Sequence, residues 1–245
     1  MMRVHLLELK YEFLKMFRLP AYVIPTLAFP LIFYIFFGLA FGQKAAASYL
    51  IATYGAFGVI GASLFGFGVS VAVERGQGWL QVKRATPMPL SAWFGAKIGM
   101  ALLFSSIIVA CLSLLGIFLG GVHFAPTVWP LLFIALVAGA LPFCALGLMI
   151  GYFAGPNSAP AIVNIVYLPM SFLSGLWIPI EFMPKFLQKI APVLPPFHLS
   201  QLALIIIGAA KGSAIVHILA LVAFTLLFLV LATIAYRRDE GKVYG

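Results

Sequence analysis

The chain has 245 residues, of which 64% are hydrophobic and 9% are charged, and its mean hydropathy is +1.13. Soluble domains average about 45–50% apolar and about 25% charged residues, so this composition excludes a soluble globular domain. The net charge of +9 comes from Lys and Arg spread over loops beside apolar segments, which argues against a nucleic-acid-binding domain. The sequence therefore predicts an all-α membrane protein formed as a single transmembrane domain over residues 1–245.

Residues 1–20 combine polar and apolar side chains with helical periodicity, which predicts a helix lying in the membrane interface. Six apolar segments follow that can cross a hydrocarbon core, which takes about 20 residues. The predicted spans cover approximately residues 21–41, 49–73, 92–121, 127–153, 161–178 and 214–236. Lys97 stands close to the start of the third span, where we expect its amine to reach back to the interface.

Two connecting segments differ from simple turns. The polar loop between spans 2 and 3 ends in Pro87 and Pro89, and a short helix is predicted before these prolines. Residues 179–212 contain five prolines and two apolar pieces, 185–191 and 197–208, each too short to cross a bilayer. This pattern predicts re-entrant helices between spans 5 and 6.

The distribution of basic residues predicts the orientation, because cytoplasmic flanks carry an excess of Lys and Arg. With six crossings both termini lie on the same side, and that side receives eleven of the fifteen Lys and Arg residues. The remaining four are Lys44, Lys185, Lys189 and Lys211. Both termini are therefore predicted to be cytoplasmic.

Motifs for catalysis, metal binding and phosphate binding are missing from the sequence. Every Asp and Glu falls outside the predicted spans, which weakens a proton- or sodium-driven carrier because such carriers place ionisable groups at mid-membrane. The sequence has no G-x-x-x-x-G-K-[ST], H-E-x-x-H or G-x-S-x-G motif. We predict a protein that is not an enzyme, with no metal site and no cofactor of its own.

The loop after span 2 carries the sequences ERGQGWL (74–80) and RATPMP (84–89). Both resemble the cytoplasmic loop after the second span of ABC-2 type transporter permeases. The sequence LPMSFLSGLWIP (168–179), followed by the Pro-containing pieces at 183–184, 190–192 and 194–196, resembles that family's span 5 and external re-entrant signature. The resemblance extends over essentially the whole chain.

The resemblance implies one half of a transport pathway in the cytoplasmic (inner) membrane of a bacterium, surrounded by lipid. A second permease copy, identical or different, would supply the other half, and two cytoplasmic ABC ATPase subunits would bind ATP and Mg. The residues implied to couple the loop to the ATPase are Glu74, Arg75, Gly78, Arg84, Thr86 and Pro87. For Arg75, Lys83 and Arg84, ordinary positive charge near lipid headgroups is the alternative. Trp79 and Gln81 stand where many relatives have a small residue and a carboxylate.

Three polar residues predicted to share a face of span 5, Asn164, Ser171 and Ser174, are candidates for a substrate path, with interhelical hydrogen bonding as the alternative. The leading functional prediction is an exporter of a hydrophobic or amphipathic compound, such as a drug-like natural product. Two alternatives stay open. One is export of lipid-linked polysaccharide by the same family, and the other is a membrane enzyme or assembly factor that works without an ATPase.

Overall fold

The computed structural model of the chain describes residues 2–40, 44–86 and 88–240. It is 82% helical, and no strand occurs within these ranges. The all-α membrane fold is therefore confirmed. The helices, in chain order, have the following bounds. They are α1 (Met2–Phe17), α2 (Pro20–Phe33), α3 (Lys44–Ser63), α4 (Ser70–Gly76), α5 (Trp79–Arg84), α6 (Leu90–Phe118), α7 (Val128–Ala138), α8 (Leu141–Phe153), α9 (Ala159–Leu173), α10 (Lys185–Ile190), α11 (Pro195–Ile206) and α12 (Ala214–Glu240).

Two π-helical stretches make longer continuous helices from these elements. Tyr34–Ala40 extends α2, and Leu64–Val69 joins α3 to α4. Five helical segments of the described chain are then long and apolar enough to cross a membrane: Pro20–Ala40, Ala46–Gly76, Ser91–Phe118, Val128–Phe153 and Ala214–Arg238. They correspond to predicted spans 1 to 4 and 6, with ends that differ by a few residues.

The fifth predicted span is shorter than residues 161–178. Helix α9 has 15 residues and a length of about 22 Å, against a hydrocarbon core of about 30 Å. It ends because Gly175 adopts φ +79, which allows the Leu176 N–H to donate to the Ser171 carbonyl and the Gly175 N–H to donate to the Phe172 carbonyl. This pair of bonds is a Schellman motif, in which a left-handed glycine terminates a helix.

The segment between α9 and α12 forms two helical pieces that meet at a sharp bend. Lys185–Val193 and Pro195–Ile206 enclose an angle of 94°. Pro195 begins α11 with its fixed φ, and Leu194 before it is extended, as expected for a residue that precedes proline. The described chain therefore has five or six crossings, depending on whether this bent pair counts as one, and the re-entrant path stays a prediction.

The second span lies at the centre of the bundle. Its most apolar window is 78% buried, whereas the corresponding windows of the first and last spans are 17% buried and lie at the outside of the bundle. Glycines allow this span to contact α8 backbone to backbone. A Cβ atom added at Gly68 would lie 3.0 Å from the Gly147 carbonyl oxygen, and one added at Gly151 would lie 2.9 Å from the Gly68 carbonyl oxygen. Close helix contact without side chains gains dispersion energy in lipid.

The N-terminal helix α1 and the C-terminal end of α12 lie at the same end of the bundle. Glu12 of α1 contacts Lys97 near the start of α6, and Tyr152 at the end of α8 packs its ring 5.4 Å from that of Tyr236 in α12. The loop formed by α4 and α5 lies at the same end. We call it the terminal end. At the opposite end, His198 of α11 contacts His217 near the start of α12.

Candidate functional site

The terminal end contains an ammonium group that is completely buried. Lys97 has no exposed surface, and its Nζ donates hydrogen bonds to Glu12 Oε1 at 2.8 Å, Ser70 Oγ at 2.7 Å and Glu74 Oε1 at 2.9 Å. An ammonium has three donors, so all of them are satisfied. The expectation that the Lys97 amine reaches the interface is wrong, because carboxylates on α1 and α4 surround it inside the protein.

A second ammonium joins the same two carboxylates. Lys15 Nζ donates to both oxygens of Glu12, at 3.1 and 3.0 Å, and to Glu74 Oε1. Trp93 Nε1 donates a hydrogen bond to the other oxygen of Glu74, Oε2, at 2.9 Å. We call Glu12, Lys15, Glu74 and Lys97 the ion network. It contains two carboxylates and two ammonium groups, so it is electrically neutral, which is favourable for charges held mostly inside a protein.

The four members of the ion network differ in exposure. The side chain of Lys15 is 47% exposed, whereas those of Glu12 and Glu74 are 4% and 9% exposed. Burial by itself would lower the pKa of Lys15, but the carboxylates of Glu12 and Glu74 outweigh burial, and the pKa is raised above its ordinary value of 10.5. Lys15 is therefore a stable cation that stands at the boundary between the network and its surroundings.

Helix α1 turns its polar face towards the protein. Glu12 and Met16 are buried where α1 packs against α6, whereas Leu6, Tyr11 and Phe17 are 60%, 62% and 55% exposed. The helix predicted from residues 1–20 is present, and its charged face contacts other helices. This orientation is stable because the carboxylates of α1 find ammonium partners inside the bundle.

The predicted coupling residues Glu74 and Arg75 also point inward. Arg75 donates from Nη1 to the Tyr152 carbonyl and from Nη2 to the Ala154 carbonyl, the latter at 2.6 Å. These carbonyls belong to the C-terminal end of α8, where a cation interacts favourably with the helix dipole. Arg75 thereby links α4 to α8, while Glu74 links α4 to α1 and α6.

Helix α5 begins after Gly78, which adopts φ +75 and separates it sharply from α4. Glycine adopts this left-handed backbone conformation at little energetic cost because it has no Cβ. On α5 the exposed large apolar side chains are Trp79 (53%) and Val82 (55%), one turn apart. Lys83 of α5 instead donates to Glu8 of α1 at 2.5 Å. The short helix is thus held to α1 through Lys83 and leaves an apolar pair exposed.

The remaining predicted loop residues lie at the end of this segment. Arg84 is the last residue of α5. The hydroxyl of Thr86 is exposed and donates to the Lys83 carbonyl at 2.7 Å, which closes the turn after the helix. Pro87 lies outside the described residues. Nothing in these positions tests their predicted contact with an ATPase, which stays a prediction.

A cavity of about 680 Å³ opens beside the ion network, between α1, the start of α2, the second span and α5. Its charged wall consists of Glu8, Glu12, Lys15, Glu74 and Lys83. Its apolar and aromatic wall includes Met16, Leu19, Tyr22, Phe65, Val69 and Val73, and Trp79 also lines it. Pockets of about 300–1,000 Å³ accommodate drug-sized ligands. The cavity therefore has the size and the two-sided chemistry for an amphipathic molecule.

The three candidates for a substrate path lie elsewhere and do not share one environment. Asn164 is exposed and donates to the Pro160 carbonyl one turn earlier, at 3.1 Å. Ser171 and Ser174 are fully buried, and their hydroxyls find no hydrogen-bond partner in the described part of the chain. Ser174 already lies beyond the end of α9. None of the three lines the cavity, and their role in a substrate path stays a prediction.

The predicted site residues did not include Glu12, Lys15, Trp93 or Lys97, and Glu74 was predicted to lie outside the membrane spans. The structure places Glu74 inside the long helix Ala46–Gly76 and buries it to 7% exposure. A signal was available, since an ionisable residue inside an apolar span usually has a partner and a role. Lys97 fits that description. Among the described residues, no group of three or more His, Cys, Asp or Glu side chains is arranged to hold a metal ion.

The sequence model of the ABC-2 type transporter family matches residues 6–208, which extend from α1 to just beyond α11. The chain belongs to the ABC-2 type transporter family. It is also similar to "Putative transport permease YvfS" of Bacillus subtilis (strain 168), with 28% identity over 235 residues that cover 94% of this chain and 96% of the relative. The resemblance seen in the loop and in the proline-rich segment is confirmed. Membership implies a multi-pass membrane protein that works with an ABC ATPase.

Proposed function

We propose that this ABC-2 family member is the permease subunit of an exporter in the cytoplasmic membrane of a bacterium. It moves an amphipathic compound, using ATP that a separate ATPase subunit binds with Mg and hydrolyses. The observation that carries the proposal is the exposed apolar pair on α5, Trp79 and Val82, on a helix fixed to the rest of the terminal end.

The geometry of α5 supports a docking role. Large aromatic side chains supply much of the binding energy at protein interfaces, and a rigid helix loses little entropy when it docks. Arg75 and Glu74 hold the preceding helix from two directions, through α8 on one side and through α1 and α6 on the other. In this proposal these two residues position α5, and Trp79 and Val82 contact the ATPase.

The rest of the assembly follows from the family and from the charge pattern. Two ATPase subunits act on two permease copies, identical or different, and the terminal end faces the cytoplasm because most Lys and Arg lie there. The cavity beside the ion network supports an amphipathic cargo that enters from the cytoplasm or the inner leaflet, since its walls are charged on one side and apolar on the other.

The test is to co-express the permease with an ABC ATPase, purify the complex in mild detergent and measure both the bound ATPase and its hydrolysis rate. Trp79→Ala should reduce the amount of co-purified ATPase at least about tenfold, because truncating an interface hot spot costs about 2 kcal/mol or more. Phe182→Ala is the control, since Phe182 is an aromatic residue with 79% exposure outside the terminal end.

Wild-type levels of bound ATPase in Trp79→Ala would contradict the docking role of α5. A purified permease that performs a reaction with no ATPase present would instead favour the membrane enzyme or assembly factor. A glycan-linked lipid as the transported compound would favour the polysaccharide exporter.

A further inference from the structure

The ion network contains one cation that can be replaced. Lys97 is completely buried and makes three hydrogen bonds, whereas the side chain of Lys15 is 47% exposed and lines the cavity. The two carboxylates that Lys15 contacts are nearly inaccessible. A flexible, half-exposed lysine therefore covers two fixed anions at the wall of a cavity.

Electrostatics require a cation at the position of the Lys15 ammonium. Without it, Glu12, Glu74 and Lys97 would carry a net charge of −1 in a buried environment, and an unpaired buried charge is unfavourable. The requirement is for an ammonium close to Glu12 and Glu74, and it does not specify which molecule supplies that group. An amine that enters the cavity can make the same bonds once the Lys15 side chain moves into solvent.

The lining of the cavity discriminates by charge. It contains three carboxylates, from Glu8, Glu12 and Glu74, and two ammonium groups, from Lys15 and Lys83, both of which are already paired. An anionic ligand would have to displace a nearly buried carboxylate from its lysine, whereas a cationic one displaces only the half-exposed side chain of Lys15. The lining thus favours a positively charged headgroup.

The apolar wall specifies the rest of the ligand. Met16 and Tyr22 lie on one side of the cavity and Phe65 and Val69 on another, next to the ion network. The Tyr22 hydroxyl donates to the Ala62 carbonyl at 3.1 Å and its ring packs edge-on against Phe104, so Tyr22 adds no unsatisfied polar group to this wall. A ligand with an ammonium head and an apolar body fills both parts of the cavity.

We propose that this cavity binds cationic amphipathic amines, whose ammonium replaces that of Lys15 between Glu12 and Glu74. The inference rests on the proposed function, for which it names the class of cargo. Lys15 then acts as an internal competitor that keeps the network neutral when the cavity is empty and gives way when a cationic ligand arrives.

The experiment measures equilibrium binding of dansylcadaverine, a fluorescent primary amine, to the permease in phosphatidylcholine nanodiscs without ATPase or ATP. Lys15→Met removes the internal competitor and keeps an apolar side chain of similar length. We expect it to tighten binding about tenfold, because a tethered group competes at a high effective concentration. Lys10→Met is the matched control, since Lys10 is an exposed lysine of α1 outside the cavity lining and the change in net charge is identical.

Two further measurements separate the proposal from non-specific partition. The N-acetylated dye has no charge, and its affinity should not change in Lys15→Met. Val69→Phe narrows the apolar wall without touching the ion network, and it should weaken binding of dansylcadaverine to the otherwise unaltered chain about tenfold. This second variant tests the cavity even where Lys15→Met does not fold.

The proposal is overturned if Lys15→Met binds the amine no more tightly than the unaltered chain, if the acetylated dye gains equally, or if Val69→Phe binds normally. Since these measurements need no ATPase, they are independent of the docking experiment. If the unaltered chain bound no ATPase but bound the amine normally, the proposed function would be removed and the cavity assignment would stand. Normal ATPase binding without amine binding would do the opposite.

Discussion

Substituting Lys97 by Met removes the ammonium that Glu12, Ser70 and Glu74 share and keeps a side chain of similar length. Two carboxylates then remain buried with Lys15 as their common cation. Breaking a buried ion pair by removing one partner costs about 3–5 kcal/mol. Lys97 has no exposed surface, so solvent does not reduce this cost, whereas the half-exposed Lys15 recovers part of it. We expect a loss of about 3 kcal/mol in the free energy of unfolding.

The assay is unfolding by SDS titration in mixed micelles, followed by loss of helix signal. Lys10→Met serves as the control, because an exposed substitution away from such a network changes stability by at most about 0.5 kcal/mol. Adding Glu74→Gln to Lys97→Met removes one charge of each sign and leaves Glu12 paired with Lys15. The double variant should therefore be more stable than Lys97→Met alone.

A loss below about 1 kcal/mol in Lys97→Met would refute the reasoning. It would mean that the carboxylates of Glu12 and Glu74 are hydrated or neutral, and that the ion network does not hold α1 against α4 and α6. The same conclusion would follow if Glu74→Gln failed to recover any stability in the double variant.

Two other predictions concern the backbone contact and the alkaline limit of the network. Gly151→Ala should lower the free energy of unfolding by about 1–3 kcal/mol, because its Cβ would lie 2.9 Å from the Gly68 carbonyl oxygen. The control is Gly95→Ala on α6, where an added Cβ meets no atom within 4 Å and should be neutral or stabilising. Equal melting temperatures for the two variants would contradict the close packing. The raised pKa of Lys15 means that its contribution is fully present below pH 10.5 and is lost as pH rises through the higher folded pKa. A scan of melting temperature against pH should show this alkaline decline in the unaltered chain and a smaller one in Lys15→Met, and identical profiles would count against it.

The sequence by itself determined the elements that depend on local composition. Apolar runs of about 20 residues predict crossings because each apolar residue contributes its own transfer energy, largely independent of its neighbours in space. Five of the six predicted spans occur as helical segments long and apolar enough to cross a membrane. The fifth ends earlier than predicted because Gly175 stops α9, and a glycine followed by the apolar Leu176 was a readable signal.

Only the tertiary structure decided which side chains form the candidate site. Glu12 and Lys97 are 85 residues apart, and Lys15 and Glu74 are 59 residues apart, so no local pattern relates them. Helical periodicity in α1 identified a charged face, but it could not tell whether that face meets water or the interior. A buried charge is stable only where opposite charges and hydrogen-bonding groups surround it, and that condition depends on how α1, α4 and α6 pack. The energy of the network therefore belongs to the assembled bundle, and the sequence alone could not supply it.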